Sequence, residues 1–198
     1  MLAAPDQTSW SGHRDAVMLA TLYNTGARVS EIAGLRVHDI LLDRQTAVHL
    51  HGKGRKERAI PLWKNTARSL RGWLQRAQLG PESAVFPNRA GAPMTRSGVR
   101  DRLDRAVAIA EQHCPSLTGH RVSPHTLRHS TAMHLLQSGV DLSVIALWLG
   151  HEGPATTHQY LEADLAMKEK VLQRISDPSP APKRYTLGDR VLAFLETL

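Results

Sequence analysis

Three short runs rich in branched residues interrupt a sequence whose other segments have helical spacing, and this interruption constrains the fold most. The runs cover residues 37–40, 46–51 and 58–62, and turn residues separate them. Branched side chains favour the pleated conformation, and turn signals between such runs favour antiparallel pairing. The sequence therefore predicts a mainly α, α+β fold that contains one small three-stranded antiparallel sheet.

Helical spacing and capping residues predict the remaining elements. Gly26 ends a buried helix, Ser123 and Pro124 together start another, and Asp141 caps a shorter one that ends at Gly150. Thr95 or Ser97 opens one of two amphipathic helices. The predicted helices cover residues 11–25, 28–35, 70–77, 99–110, 124–138 and 142–149, and a last one follows Tyr160 to about residue 175.

The chain is long enough for one domain with a substantial core. We expect residues 1–10 to form a lead-in and residues 11–175 to form that domain. Three prolines within residues 176–183 cannot continue a helix, so this stretch is predicted to be a linker. The apolar stripe that follows is too short to make a core alone, and residues 176–198 are therefore a linker with a short amphipathic segment that must dock elsewhere.

The positive charge is concentrated in one part of the chain. The net charge is +7, and residues 1–110 carry 17 Lys and Arg against 9 Asp and Glu, whereas residues 111–198 carry 8 against 9. A localised basic surface attracts a polyanion by releasing its condensed counterions. Nucleic acid is therefore the expected partner.

Cysteine usage and hydropathy favour the cytoplasm. Cys114 is the single cysteine, which excludes a disulfide framework or a cysteine metal cluster within the chain. No apolar run approaches the roughly 18 to 20 residues of a membrane span. We expect a cytoplasmic, nucleoid-associated protein without a membrane partner.

Six polar residues stand within five local motifs and are candidates for one phosphate-handling site. The motifs cover residues 25–31, 51–56, 124–129, 149–151 and 156–160, and the six residues are Arg28, Lys53, His125, Arg128, His151 and Tyr160. His125 and Arg128 share a helix face because they are three residues apart. An arginine fork matches phosphate oxygens, and Arg28 can supply a second fork that Glu31 orients or partly neutralises.

Tyr160 is the candidate nucleophile. A phenol with a pKa of about 10 needs cationic neighbours and a base to react at neutral pH, and the arginines and histidines can supply both. Lys53 is predicted at the tip of a glycine-rich hairpin and is a plausible general acid. Its basic neighbours Arg55, Lys56 and Arg58 are expected to contact DNA.

In this order the motifs resemble the catalytic domain of the tyrosine recombinases, the phage integrase family. The resemblance covers roughly residues 10–175. It implies that Arg28 and Arg128 stabilise a pentacoordinate phosphate, while His125 assists proton transfer and His151 binds the phosphate. It further implies that Tyr160 forms a 3′-phosphotyrosine and that Lys53 protonates the leaving 5′-oxygen, without ATP or a metal.

The resemblance also implies partners. These are duplex DNA and further copies of the chain, which would be a monomer when free and a tetramer on paired DNA sites. The family places an N-terminal helical DNA-binding domain ahead of the catalytic one, but about ten residues precede the first helix here. We therefore expect this chain alone, whether excised from a longer protein or naturally short, to bind DNA weakly.

Three other functions remain open at this point. A metal-dependent phosphoesterase would use His125, His129 and His134, although no His-Glu-x-x-His motif accompanies them. A DNA-binding fragment would bind without recombining. A type IB topoisomerase would use a similar tyrosine but religate the same strand.

Overall fold

The computed structural model describes residues 1–43, 45–52 and 57–150, together with Glu169, Leu172 and Gln173. The predicted α+β fold with a three-stranded antiparallel sheet is confirmed. The elements are α1 (Trp10–Thr25), α2 (Val29–Gly34), β1 (Ile40–Leu41), β2 (Ala47–His51), β3 (Glu57–Pro61), α3 (Lys64–Ala77), α4 (Arg96–Glu111), α5 (Pro124–Gln137) and α6 (Leu142–Leu149).

The sheet has the order β1-β2-β3, and both pairs are antiparallel. The predicted first strand is largely wrong, because residues 37–39 form a 3₁₀ turn and only Ile40 and Leu41 pair with β2. The Asp39 carboxylate accepts a hydrogen bond of 2.9 Å from the Arg36 N–H and thereby closes that turn. A local side-chain bond of this kind competes with strand pairing.

The predicted helix ends are confirmed at four positions. Gly26 and Gly150 adopt the left-handed conformation, with φ of 60° and 68°, and end α1 and α6. The Ser123 hydroxyl accepts from the Thr126 N–H at 3.1 Å, and the Asp141 carboxylate accepts from the Ser143 N–H at 2.8 Å. These local bonds satisfy backbone donors that a helix leaves open at its start.

Helix α1 lies at the centre of the core. It packs against α3 and α5, and its residues Met18 and Leu19 are fully buried. The large side chains Trp73 of α3 and Trp148 of α6 are buried in the same cluster. This packing brings the C-terminal end of α1 close to the start of α5, the C-terminal end of α6 and the start of β3, where the candidate site residues lie.

Several predictions fall on residues outside the described part of the chain. They concern the hairpin tip at residues 53–56, the terminal segment at residues 176–198 and most of the helix predicted after Tyr160, of which Glu169, Leu172 and Gln173 are described and are helical. A search of the described helices found none whose length and apolar character would suffice to span a bilayer.

Candidate active site

Arg128 projects from α5 into the interior and links the ends of two other helices, α1 and α6. It is only 5% exposed. Its Nη1 donates to the Gly26 carbonyl and its Nη2 to the Leu149 carbonyl, both at 2.7 Å. Two of its N–H groups thus fix the end of α1 beside the end of α6.

Arg28 reaches the same junction. It is the residue that precedes α2, and its Nη2 donates to the Gly150 carbonyl at 3.2 Å. Arg128 is bonded to the carbonyl of the preceding residue, Leu149. The two guanidiniums therefore lie in one cluster, and the Arg28 side chain remains 41% exposed.

Arg58 does not lie where the sequence analysis expected it. As a DNA-contacting residue it would be exposed on the hairpin, but it is 7% exposed on β3. Its Nη1 and Nη2 donate to the two Glu31 oxygens at 2.7 and 2.8 Å, and its Nε donates to the Trp148 carbonyl at 3.0 Å. Burial and this saturation with protein acceptors correct the expectation, and Arg58 belongs to the interior of the site.

Glu31 is the carboxylate that these arginines share. Besides Arg58, it accepts from the Arg28 backbone N–H at 2.6 Å and from the Arg28 Nη1 at 3.3 Å. Burial is the largest single influence and would raise the pKa of Glu31. The hydrogen bonds and charges of Arg58, followed by those of Arg28, outweigh it and hold the pKa below its ordinary value. Glu31 is therefore ionised at neutral pH.

The arginine cluster, which we define as Arg28, Arg58 and Arg128 with Glu31, contains more guanidiniums than carboxylates. Three guanidiniums surround one carboxylate among the described residues. Burial, followed by the charges of Arg28 and Arg58, lowers the pKa of Arg128 to about 10, so it stays protonated at neutral pH. Like charges that lie close together away from water are stabilised when an anion binds between them. The cluster is therefore suited to binding an anion.

His125 lies one helical turn before Arg128. It is exposed on the first turn of α5, and its ring contacts the His129 ring edge-on with centroids 4.0 Å apart. Burial, and then the nearby charges of His125 and Arg128, lower the pKa of His129. His134, the third histidine of the metal hypothesis, instead lies 3.1 Å from the Tyr23 hydroxyl through its Nδ1. Within the described ranges, no group of three metal-ligating side chains was found.

The remaining candidate residues lie outside the described part of the chain. They are Lys53, Arg55, Lys56, His151 and Tyr160. Of the six candidate catalytic residues, the structure thus places Arg28, Arg128 and His125.

Comparison with known proteins identifies the family. The sequence profile of the Phage integrase family matches residues 1–167. The chain belongs to the phage integrase family. This confirms the resemblance that the local motifs predicted.

Two curated relatives of this integrase-family chain are longer than it. A putative integrase/recombinase, y4rC, of Sinorhizobium fredii is 46% identical over 198 residues, which are all of this chain and 60% of the relative. Tyrosine recombinase XerD of Pseudomonas aeruginosa is 40% identical over 165 residues, which cover 81% of this chain and 53% of the relative. The chain thus spans between about half and three fifths of these relatives.

Solved structures agree with the fold. The XerH site-specific recombinase bound to difH substrate in a pre-cleavage complex matches with a TM-score of 0.66 and 25% identity. The match covers 82% of this chain and 48% of the XerH chain. The integrase from mycobacterium phage Brujita also has a TM-score of 0.66, with 21% identity, and covers 92% of this chain and 57% of that chain.

Two features of the site were missed by the sequence analysis. The first is the interior position of Arg58, which strand alternation could have indicated, since Arg58 shares a face with Ile60 and lies opposite the buried Leu50. The second is the set of backbone carbonyls at Gly26, Leu149 and Gly150 that hold the arginines. No residue type marks such carbonyls in a sequence.

Proposed function

We propose that this chain is the catalytic domain of a site-specific DNA recombinase or integrase, which cleaves and rejoins DNA strands through a 3′-phosphotyrosyl intermediate. One observation carries the proposal: Arg28 and Arg128 lie in one cluster whose three guanidiniums share a single carboxylate among the described residues. Guanidinium forks bind phosphate oxygens in a bidentate geometry. A phosphodiester is an anion of the kind that these grouped guanidiniums can bind.

The reaction proceeds in two balanced steps. In the first, the Tyr160 oxygen attacks the phosphorus, the tyrosine proton passes to a histidine, and the bond to the 5′-oxygen breaks. Lys53 donates the proton that the leaving 5′-hydroxyl needs. In the second step, a 5′-hydroxyl gives its proton to Lys53 and attacks the phosphorus of the phosphotyrosine, and the departing Tyr160 oxygen takes its proton back from the histidine.

The cluster stabilises the transition state of both steps. Arg28 and Arg128 bind the non-bridging oxygens, on which negative charge accumulates, while His125 and His151 assist proton transfer and bind the phosphate. Because the phosphotyrosine keeps the ester bond energy, the reaction uses neither ATP nor a metal. Catalysis by positioning and fixed charge is the general pattern for phosphoryl transfer.

Duplex DNA is the proposed substrate, and its binding would associate the chain with the nucleoid. The XerH relative, which was solved with its difH substrate, supports this assignment. We extend the proposal to a tetramer on paired sites, formed from monomers when DNA binds. In it, residues 11–175 form the catalytic domain, and the segment at residues 187–198 docks on a neighbouring protomer.

The test is the capture of a covalent DNA adduct. The chain is incubated with a library of nicked duplexes of random sequence, in which the short strand released by cleavage diffuses away and prevents religation. Adducts are separated under denaturing conditions and their DNA is sequenced. We expect an adduct from the wild-type chain that maps to Tyr160, and none from Tyr160→Phe.

Further arms separate the other functions. DNA cleavage that leaves no adduct and that a chelator abolishes would favour the metal-dependent phosphoesterase. Relaxation of supercoiled DNA, without strand exchange between two DNA sites of the sequence found in the adducts, would favour the topoisomerase. If the chain retards DNA in a gel but forms no adduct, it is a DNA-binding fragment, and the proposed strand transfer is overturned.

A further inference from the structure

Glu31 contacts its two arginine neighbours unequally. Arg58 donates from both of its Nη atoms to the two carboxylate oxygens at 2.7 and 2.8 Å. Arg28 donates from one Nη atom at 3.3 Å, beyond the usual range of such bonds. A two-pronged charged hydrogen bond is shorter and stronger than a single long one. The carboxylate is therefore held mainly by Arg58.

Burial separates the three side chains in the same way. The Arg58 side chain is 8% exposed and the Glu31 side chain 2%, whereas the Arg28 side chain is 41% exposed. The tight ion pair thus lies inside the protein, and the loosely held guanidinium reaches the surface. Arg28 is the member of the cluster that an external anion can approach.

We propose that Arg58 is a positioning residue that keeps Arg28 available for phosphate by occupying both oxygens of Glu31. Without Arg58, Glu31 would pair with Arg28, whose side chain already contacts it from three residues away. The pair would then compete with the anion, and the excess charge around the site would fall by one unit. The inference rests on the proposed function only for the identity of the anion, a DNA phosphodiester.

Arg58 also fixes the backbone to which Arg28 is bonded. Its Nε donates to the Trp148 carbonyl at 3.0 Å, two residues before the Gly150 carbonyl that accepts from Arg28. A Cβ atom added to Gly150 would lie 3.0 to 3.2 Å from the Nη1, Cδ and Cζ atoms of Arg58. The Gly150 backbone thus packs directly on the Arg58 guanidinium, which supports the segment that holds Arg28.

The test measures anion affinity at Arg28 with inorganic phosphate as the probe. The side-chain Nε signal of Arg28 is followed by NMR in the 198-residue chain, in Arg58→Met, in Glu31→Gln and in the double variant. We expect Arg58→Met to weaken phosphate binding about tenfold, since one unit of charge beside the anion is neutralised in a partly hydrated site. Adding Glu31→Gln should restore the affinity to within about threefold of wild type, because the competing carboxylate is gone.

Two outcomes would overturn the proposal. One is an Arg58→Met affinity equal to that of wild type, and the other is a double variant that binds as weakly as Arg58→Met. A purely structural role for Arg58 predicts the second outcome, since Glu31→Gln cannot rebuild lost packing. Thermal unfolding of each variant shows whether it is folded. If Arg58→Met is not, Arg58→Lys replaces it, with an expected loss of about threefold that Glu31→Gln again reverses.

A matched control is Arg14→Met, which removes another buried arginine that binds a carboxylate. It should leave the phosphate affinity at Arg28 unchanged. Phosphate binding needs no DNA cleavage, so the two proposals can fail separately. If the variants show the expected phosphate affinities but no DNA adduct forms, the proposed function alone is contradicted. If an adduct forms but the affinities differ from those expected, the role of Arg58 alone is contradicted.

Discussion

The two ends of α1 each lie beside a buried arginine, and the two arginines differ in the groups to which they donate hydrogen bonds. Near its start, Arg14 is 2% exposed, donates to Asp15 at 2.7 and 2.9 Å, and donates to the Pro87 carbonyl at 2.8 Å. Past its end, Arg128 is similarly buried, but its Nη1 and Nη2 donate to backbone carbonyls, and the charges of Arg28 and Arg58 lie beside it. Burial alone therefore does not identify a ligand site, and the partly exposed Arg28 beside Arg128 is the feature that favours one there.

The largest expected difference concerns DNA cleavage. Arg128→Met should slow adduct formation about 10³-fold, since removal of one fixed donor to a developing negative charge has effects of this size. Arg14→Met should change the rate less than about threefold, because Arg14 is paired with Asp15 and lies near the opposite end of α1 from the cluster. Single-turnover rates on a nicked duplex, at a temperature where both variants are folded, provide the measurement. Equal losses in the two variants would remove the distinction between the sites.

Stability should show the reverse order. Arg14→Met leaves the carboxylate of Asp15 buried without a partner, which should destabilise the fold by about 3–5 kcal/mol. Arg128→Met removes hydrogen bonds to two carbonyls but also relieves repulsion from Arg28 and Arg58, and should cost about 1–3 kcal/mol. Denaturant unfolding at neutral pH gives both values. The comparison fails if Arg128→Met is the more destabilised variant.

Two glycines sharpen the comparison at smaller scale. Gly139 and Gly150 both have positive φ, of 77° and 68°, so an alanine at either position is strained by about 1–2 kcal/mol. The added Cβ meets nothing within 4 Å at Gly139 but meets the Arg58 guanidinium at Gly150. Gly150→Ala should therefore cost about 1 kcal/mol more than Gly139→Ala. Equal free energies of unfolding for the two variants would show that the Arg58 side chain moves away from the added methyl group at no cost.

The smallest expected effect is a change in acid stability. The pKa of Glu31 lies below its ordinary value of 4.5, and the ion pair with Arg58 contributes to this lowering. Because the folded pKa is depressed, this stabilisation is present above the unfolded value and is lost as the pH falls through the folded value. In unfolding measurements between neutral pH and about pH 3, wild type should therefore lose stability more steeply than Glu31→Gln. Parallel curves would contradict this.

Local chemistry made much of the fold predictable. Gly26, Ser123, Asp141 and Gly150 mark helix ends through bonds that involve only nearby residues, and the structure places the helix ends there. Residues 37–39 misled the sequence analysis because the bond from the Arg36 N–H to Asp39 favours a turn over a strand. Branched residues indicate what a segment prefers, but not which local bond it forms.

The site was predictable in kind and less so in arrangement. The motifs pointed to Arg28, Arg128 and Glu31, and the structure places these three in one cluster. Arg58 was misplaced because its basic neighbours in the sequence suggested a solvent-exposed hairpin. Its true surroundings depend on Glu31 and Trp148, which lie 27 and 90 residues away. Such distant contacts become apparent only when the chain is folded.

The most direct test of the central claim is to locate an anion in a crystal of this chain. Selenate is a phosphate-sized dianion whose anomalous scattering identifies its position. The account predicts a selenate within hydrogen-bonding distance of the Arg28 guanidinium at the arginine cluster, and none bonded to Arg14, whose Nε, Nη1 and Nη2 already donate to Asp15 and Pro87. Selenate bound at Arg14 while the arginine cluster stays empty would contradict it.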